Sequence, residues 1–225
     1  MHPMKRAQFK CLAAVAALAL AGPAAADEVV KLFNGKDLSG WGCFLAEPGK
    51  KLADVWSVHD GVLVCKGEPL GYLSTGEEFT DCRLVVEWRW APGAKPGNSG
   101  VLLRITGAPR ALPECYEAQL QHGNAGDIYG FHGRPVGGEA ARKTSTPGHE
   151  LGGDLAGLRK LKGAEKPAGE WNRYEITLQG DRLRLVVNGE LVNEARGLKV
   201  VPGRIGFQSE GGEIHFRTIE LTRIR

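Results

Sequence analysis

The fold of this chain is decided by Asn98–Arg104 (N-S-G-V-L-L-R) and Tyr116–His122 (Y-E-A-Q-L-Q-H). Each segment reads as a strand of period two, so successive side chains point to opposite faces. Val101, Leu103 and Ile105 then share one face, and Gly100, Leu102 and Arg104 share the other. In the second segment Ala118 and Leu120 lie together, opposite Glu117, Gln119 and Gln121. Burying both apolar faces projects Arg104 and Glu117 from the solvent side of one sheet. A cation and a carboxylate flanked by amides suit a polar ligand such as a sugar. The same pattern also describes a cross-strand ion pair on a half-exposed sheet, which contributes little energy.

The neighbouring segments extend the strand pattern. Arg83–Trp90 puts Leu84, Val86, Trp88 and Trp90 on one face, with Glu87 and Arg89 on the other. Asn172–Leu178 and Leu183–Val187 alternate in the same way, and Arg204–Gln208 and Ile214–Ile224 are further strands. Asp60-Gly61 and Asn188-Gly189 are strong hairpin turns, and Gly211-Gly212 is a third turn. Many short strands, frequent glycine turns and no amphipathic helix predict an all-β, two-sheet antiparallel sandwich in a single domain, residues 27–225. Residues 123–169 are rich in Gly, Pro and charge with little periodicity. They read as one long loop folded over the mouth of the site, with a helical turn at most at Leu155–Leu161.

Bulk composition narrows the function. The chain has 225 residues, 42% of them hydrophobic, with 29 basic against 26 acidic side chains for a formal charge of +3. The two charge types are interspersed apart from a loose basic run at Arg159–Lys162, so a nucleic-acid partner is not expected. Residues 1–26 read as an export signal: Lys5, Arg6 and Lys10, then an apolar run from Cys11 to Gly22, then Ala24-Ala25-Ala26 before Asp27. That run is shorter than the roughly 20 residues needed to span a bilayer. A periplasmic or secreted protein, free of the membrane after cleavage, is the expectation. The remaining Cys43, Cys65, Cys82 and Cys115 allow two disulfides in three connectivities, or a structural thiol at Cys82 on the core face. No C-x-x-C or zinc spacing is present.

Taken in order, L-F-N-G-K-D-L-S-G-W (32–41), W-S-V-H-D-G-V-L (56–63), Y-L-S-T (72–75), N-S-G-V-L-L-R, Y-E-A-Q-L-Q, G-E-W-N-R-Y-E-I (169–176) and G-R-I-G-F-Q-S-E (203–210) resemble the blocks of the 3-keto-disaccharide hydrolase family. The resemblance implies a concanavalin A-like (laminarin-type) jelly roll with one sheet curved around a sugar-binding groove. It further implies cleavage of a 3-keto-glucoside or 3-keto-disaccharide, by elimination and hydration or by hydrolysis. A binding module using the same groove without turnover is the alternative. Many jelly rolls of this architecture carry calcium, but no D-x-D-x-D-G cluster appears here, so neither metal nor cofactor is expected.

A C3 ketone acidifies the C2 hydrogen, so one base, one stabiliser for the enolate and one proton donor suffice. Glu117 is the expected base or acid, Arg104 the electrostatic stabiliser, and His122 the second proton carrier. His122 stands where the family often has an aspartate, in E-x-Q-x-x-D. Asn98 and Gln119 are the orienting donors, and Gln208, Tyr129 and His132 are further substrate contacts. Glu87 is a carboxylate that could pair with Glu117 if its strand lies alongside. Retaining glycosidases of jelly-roll type need two carboxylates about 5 Å apart. Tyr116–His122 supplies only Glu117.

Overall fold

A computed structural model describes residue 1 and residues 28–224; the export-signal reading lies outside the described residues. Two eight-stranded antiparallel sheets face one another. The front sheet runs β10 (Lys143–His149), β11 (Gly153–Leu158), β9 (Ile128–Gly130), β8 (Glu114–Gln119), β7 (Gly100–Thr106), β15 (Gly203–Ser209), β5 (Gly71–Phe79) and β2 (Trp41–Leu45). The back sheet runs β14 (Glu190–Ala195), β13 (Arg182–Val187), β12 (Asn172–Gln179), β6 (Cys82–Trp90), β16 (Ile214–Arg223), β4 (Val62–Cys65) and β3 (Trp56–His59), with β1 (Val29–Lys31) also on β16. The architecture is the two-sheet antiparallel sandwich expected from the alternation, in the jelly-roll form that the family resemblance implied. Both hairpin turns form with left-handed pairs, Asp60-Gly61 at φ 50 and 78 and Asn188-Gly189 at φ 51 and 84.

The inner faces interdigitate into one core. Leu84, Val86, Trp88 and Trp90 of β6 are all 0–1% exposed and meet Val101, Leu103, Tyr116, Ala118 and Phe207 of the front sheet. Trp56 lies in the same core, while Trp41 packs on its edge and donates from its indole nitrogen to the Leu32 carbonyl at 3.0 Å. The four cysteines are free thiols: Cys43 is exposed, the other three are buried, and the disulfides entertained from sequence do not form. They are distributed over β2, β4, β6 and β8, with Cys65 and Cys82 at opposite ends of the back sheet and Cys115 on the outer face of the front one.

Two expectations are corrected. Residues 123–169 are not one loop, nor is Leu155–Leu161 a helical turn, because β9, β10 and β11 add three strands to the edge of the front sheet. β10 is almost wholly exposed, β9 is three residues long and β11 is interrupted by glycines, so no sustained apolar alternation marks them in the sequence. Pro147 is tolerated because β10 is an edge strand. The second correction is at Arg104. Leu103 pairs with Tyr116 and Thr106 with Glu114, leaving Arg104 and Ile105 opposite Cys115 alone. This bulge, with Arg104 at φ 53, reverses the alternation. Ile105 therefore packs on the outer face and Arg104 leaves it.

Candidate functional site

The outer face of the front sheet carries the site. Register places Ser74, Gly206, Leu102, Glu117, Tyr129 and Gly157 in one rung across β5, β15, β7, β8, β9 and β11. In the next rung Tyr72 pairs with Gln208, and Gly100 pairs with Gln119. Phe44 stacks on Tyr72 with ring centroids 5.9 Å apart, closing one side of the face. Leu112, from the β7–β8 connection, packs with Leu102, Cys115 and Phe131 and closes one end.

Glu117 sits at the centre and is 3% exposed. Its carboxyl leans over β7, so that a Cβ on Gly100 would stand 2.0 Å from Oε1. That oxygen is buried and has no hydrogen-bond partner among the described residues. Burial, with the added repulsion of Glu210 and Asp127, holds the carboxyl protonated well above the usual carboxylate range. Gln119 accepts the amide protons of Leu120 and Gln121 on its Oε1, at 2.9 and 2.8 Å. Its amide NH2 is thereby oriented as a donor. Asn98 and Gln208 flank Gly100, and Asn98 Oδ1 and Gln208 Oε1 are likewise buried without partners among the described residues. Three unpaired polar atoms around one glycine are a costly arrangement that a polar ligand would satisfy.

A second carboxyl that sequence reading missed lies near enough to the first to add to its upward shift. Glu210 follows β15 and is partly buried, and burial pushes its carboxyl up to about 6. It lines a cavity of about 620 Å³ with Glu47, Lys50, Glu68 and Pro69. Period two from Gln208 already pointed to Glu210, and that signal was available. Asp127 gave no such signal. It is buried in a connection, where its Oδ1 accepts the Lys160 amide at 2.7 Å and its carbonyl accepts Gln119 N at 3.0 Å.

The structure brings together Glu117, Gln119, Asn98, Gln208 and Tyr129 and separates the rest. Arg104 is wholly buried at the end of the sandwich, where its guanidinium donates to the carbonyls of Thr80, Gly180 and Lys199 and to Asp81. Arg104 therefore does not accompany Glu117 in the way the strand parity implied. His122 falls one residue out of phase with Glu117 and Gln119, and its ring Nδ1 meets Glu165 at 3.1 Å on a different, smaller cavity. Glu87 belongs to the back sheet and pairs with Arg217 and Thr218 on its outer surface. His132 holds the β7–β8 connection, its Nε2 at 2.7 Å from the Leu112 carbonyl and its Nδ1 at 3.3 Å from Arg110. Trp171 likewise serves the back sheet, lying under Arg89 and Arg217.

Gly100→Ala tests the seating of the carboxyl. The backbone there is not left-handed and the three atoms nearest the new methyl all belong to the Glu117 side chain, so the variant is expected to fold with Glu117 displaced. A stability loss of about 1–3 kcal/mol is expected. If the acid acts in catalysis, turnover should drop about 10²-fold, as for a misplacement of about 1 Å. Thermal melting and steady-state kinetics measure both.

The family profile of the 3-keto-alpha-glucoside-1,2-lyase-like domain matches residues 28–222. The chain belongs to that family. Solved structures share its fold. A provisionally assigned glycosyl hydrolase from Parabacteroides distasonis ATCC 8503 superposes with a TM-score of 0.62 at 21% identity, covering 88% of this chain and 94% of that one. The carbohydrate-binding module CBM66 from Bacillus subtilis gives 0.60 at 11% identity, covering 81% and 95%. The Ca2+-bound exoplasmic/lumenal domain of VIP36 gives 0.54 at 10% identity, covering 87% and 89%. No curated protein matches the chain. This 3-keto-alpha-glucoside-1,2-lyase-like domain thus carries its buried acid, its oriented amides and its partly buried Glu210 on the outer face of the front sheet.

Proposed function

We infer that this protein is an exported carbohydrate-active enzyme that cleaves the glycosidic bond of a 3-keto-glucoside or 3-keto-disaccharide. Family membership supports a carbohydrate-active role. The observation that carries the reading is the buried, unpartnered Glu117 carboxyl among the Gln119, Gln208 and Asn98 amides, with burial pushing it well above the usual carboxylate range. Two carboxyls raised to different extents divide the work by their environments. Glu210 is ionised at neutral pH and takes the C2 proton, while Glu117 is protonated and gives its proton to the departing anomeric oxygen. The C2–H and C1–O bonds break and a C1=C2 double bond forms. Water then returns oxygen to C1 and hydrogen to C2, for net hydrolysis. The amides hold the enolate oxygen, the place first assigned to Arg104. Positioned acid–base groups of this kind contribute about 10²–10⁴-fold each.

Incubation with chemically 3-oxidised and unoxidised disaccharides, followed by product analysis, tests the reading. Cleavage of the oxidised sugar alone is expected; absence of cleavage on both would reject it. Because the base must be ionised, kcat/KM on the oxidised sugar should fall as pH drops below about 6, the Glu210 value. Glu210→Gln should lose that limb together with most of the turnover. A pH profile flat through this range would remove Glu210 from the mechanism. The second reading, a binding module without turnover, draws on the departure of Arg104 from the site and the likeness in fold to CBM66. Saturable binding of both sugars with neither cleaved would favour it.

A further inference from the structure

A cavity of about 630 Å³ lies far from the acid pair in the fold, over the outer face of the back sheet at its β12–β14 edge. Register supplies its floor: Thr177, Arg184 and Glu194 form one rung, and Gln179 pairs with Arg182. The segment around Gly138 and Arg142 forms one wall, and the half-exposed Leu161 adds an apolar one. Arg142 is fixed by Asn193 Oδ1 at 2.8 Å and Glu139 at 3.1 Å, and Arg184 is paired with Glu194 at 3.3 Å.

Arg182 and Arg196 are different. The β13–β14 ladder ends where Leu183 pairs with Ala195, and Arg182 and Arg196, the next residue along each strand, both line the cavity. The Arg196 backbone is held there by reciprocal hydrogen bonds with Gly137 at 2.8 and 2.9 Å. Neither guanidinium meets a carboxylate among the described residues, and the neighbouring Asp181 carboxylate is turned to the Gly197 amide at 3.1 Å. Two arginines without carboxylate partners on the lining of one cavity leave it positively charged and suited to an anion. Arginine forks match the geometry of a carboxylate, and the volume falls within the range of small-ligand pockets.

We propose that this cavity is a second saccharide site, which takes an acidic sugar unit through its carboxylate. Arg182 and Arg196 grip the carboxylate, Thr177 and Gln179 meet ring hydroxyls, and Leu161 meets the apolar face of the ring. The site is separate from the acid pair and does not depend on the cleavage reaction.

Titration of the full chain with glucuronate, glucose and inorganic sulfate, followed by amide chemical shifts at residues 137–142 and 194–197, tests it. Saturable shifts with glucuronate, weaker at higher salt and absent with glucose, are expected. The Arg182→Gln/Arg196→Gln double variant should weaken glucuronate binding about tenfold or more. Both side chains are exposed and neither pairs with a carboxylate among the described residues, so the variant should melt within about a degree or two of the parent and keep its cleavage activity. No saturable shift with glucuronate overturns the site, and so does an unchanged titration in the double variant. Sulfate binding as tightly as glucuronate overturns the saccharide assignment and leaves a bare anion site.

Discussion

Glu117→Gln is expected to lower cleavage of a 3-oxidised glucoside by about 10²–10⁴-fold, the contribution of one positioned proton carrier. The substitution keeps the volume and polarity of the side chain over Gly100, so the fold should survive. Its stability signature has a fixed sign. The folded-state carboxyl is raised by burial, so above the ordinary carboxylate range the unfolded chain binds fewer protons than the native one. Parent stability therefore falls as pH rises out of that range, until the native carboxyl also ionises. Gln has no proton to lose, so the variant should show a flatter curve and be at least as stable at neutral pH. Urea denaturation across pH 4–8, run beside the kinetics, separates the two effects. Undiminished turnover in a well-folded variant would show that this acid is only a buried neutral group.

Arg104→Ala is the corresponding test of what the bulge achieves. The side chain is 0% exposed and joins the β5–β6 turn at Thr80 and Asp81, the β12–β13 turn at Gly180 and the approach to β15 at Lys199. Its removal leaves three carbonyls and a carboxylate short of a donor and opens a cavity between the two sheets. A loss of about 3–5 kcal/mol is expected. For a domain of this size that lowers the melting temperature by about 6–20 °C. Below the melting range kcat should be close to the parent value, because Arg104 faces away from Glu117. The opposite pattern, with stability kept and turnover lost, would return Arg104 to the active site and overturn the bulge as the reason for its placement.

These two residues show how far period two carries a reading of this chain. Along β6 it held for nine residues, because β12 and β16 pair with it on both sides and its inner face is buried throughout. It held along β8, so Glu117 and Gln119 lie where alternation put them. On β7 it failed after Leu103, because one extra residue in a left-handed conformation turned the rest of the strand over. L-L-R-I-T carries no glycine or asparagine to announce such a turn, since the conformation is stabilised by the distant carbonyls that Arg104 reaches.

The second carboxyl was within reach of the same rule, two residues beyond Gln208 in Q-S-E. Within Tyr116–His122 only Glu117 is acidic, which pointed to His122 as the second proton carrier and to Glu87 as a carboxylate from another strand. The β9–β11 edge was legible only in space. Its pairing is made by backbone, and its strands are too short, too glycine-rich or, in β10, too solvated to carry an apolar period.

Local chemistry therefore determined the strands, the left-handed turns, the composition of the core and the acid at the centre of the face. Those properties depend on residues one to four positions apart. Which groups surround that acid was decided by register between strands distant in sequence. β15 brings Gln208 and Glu210 beside β7, and the bulge sends Arg104 to the end of the sandwich. A pairing partner a hundred residues away leaves no periodic trace in either strand, so only the closed sandwich could set it.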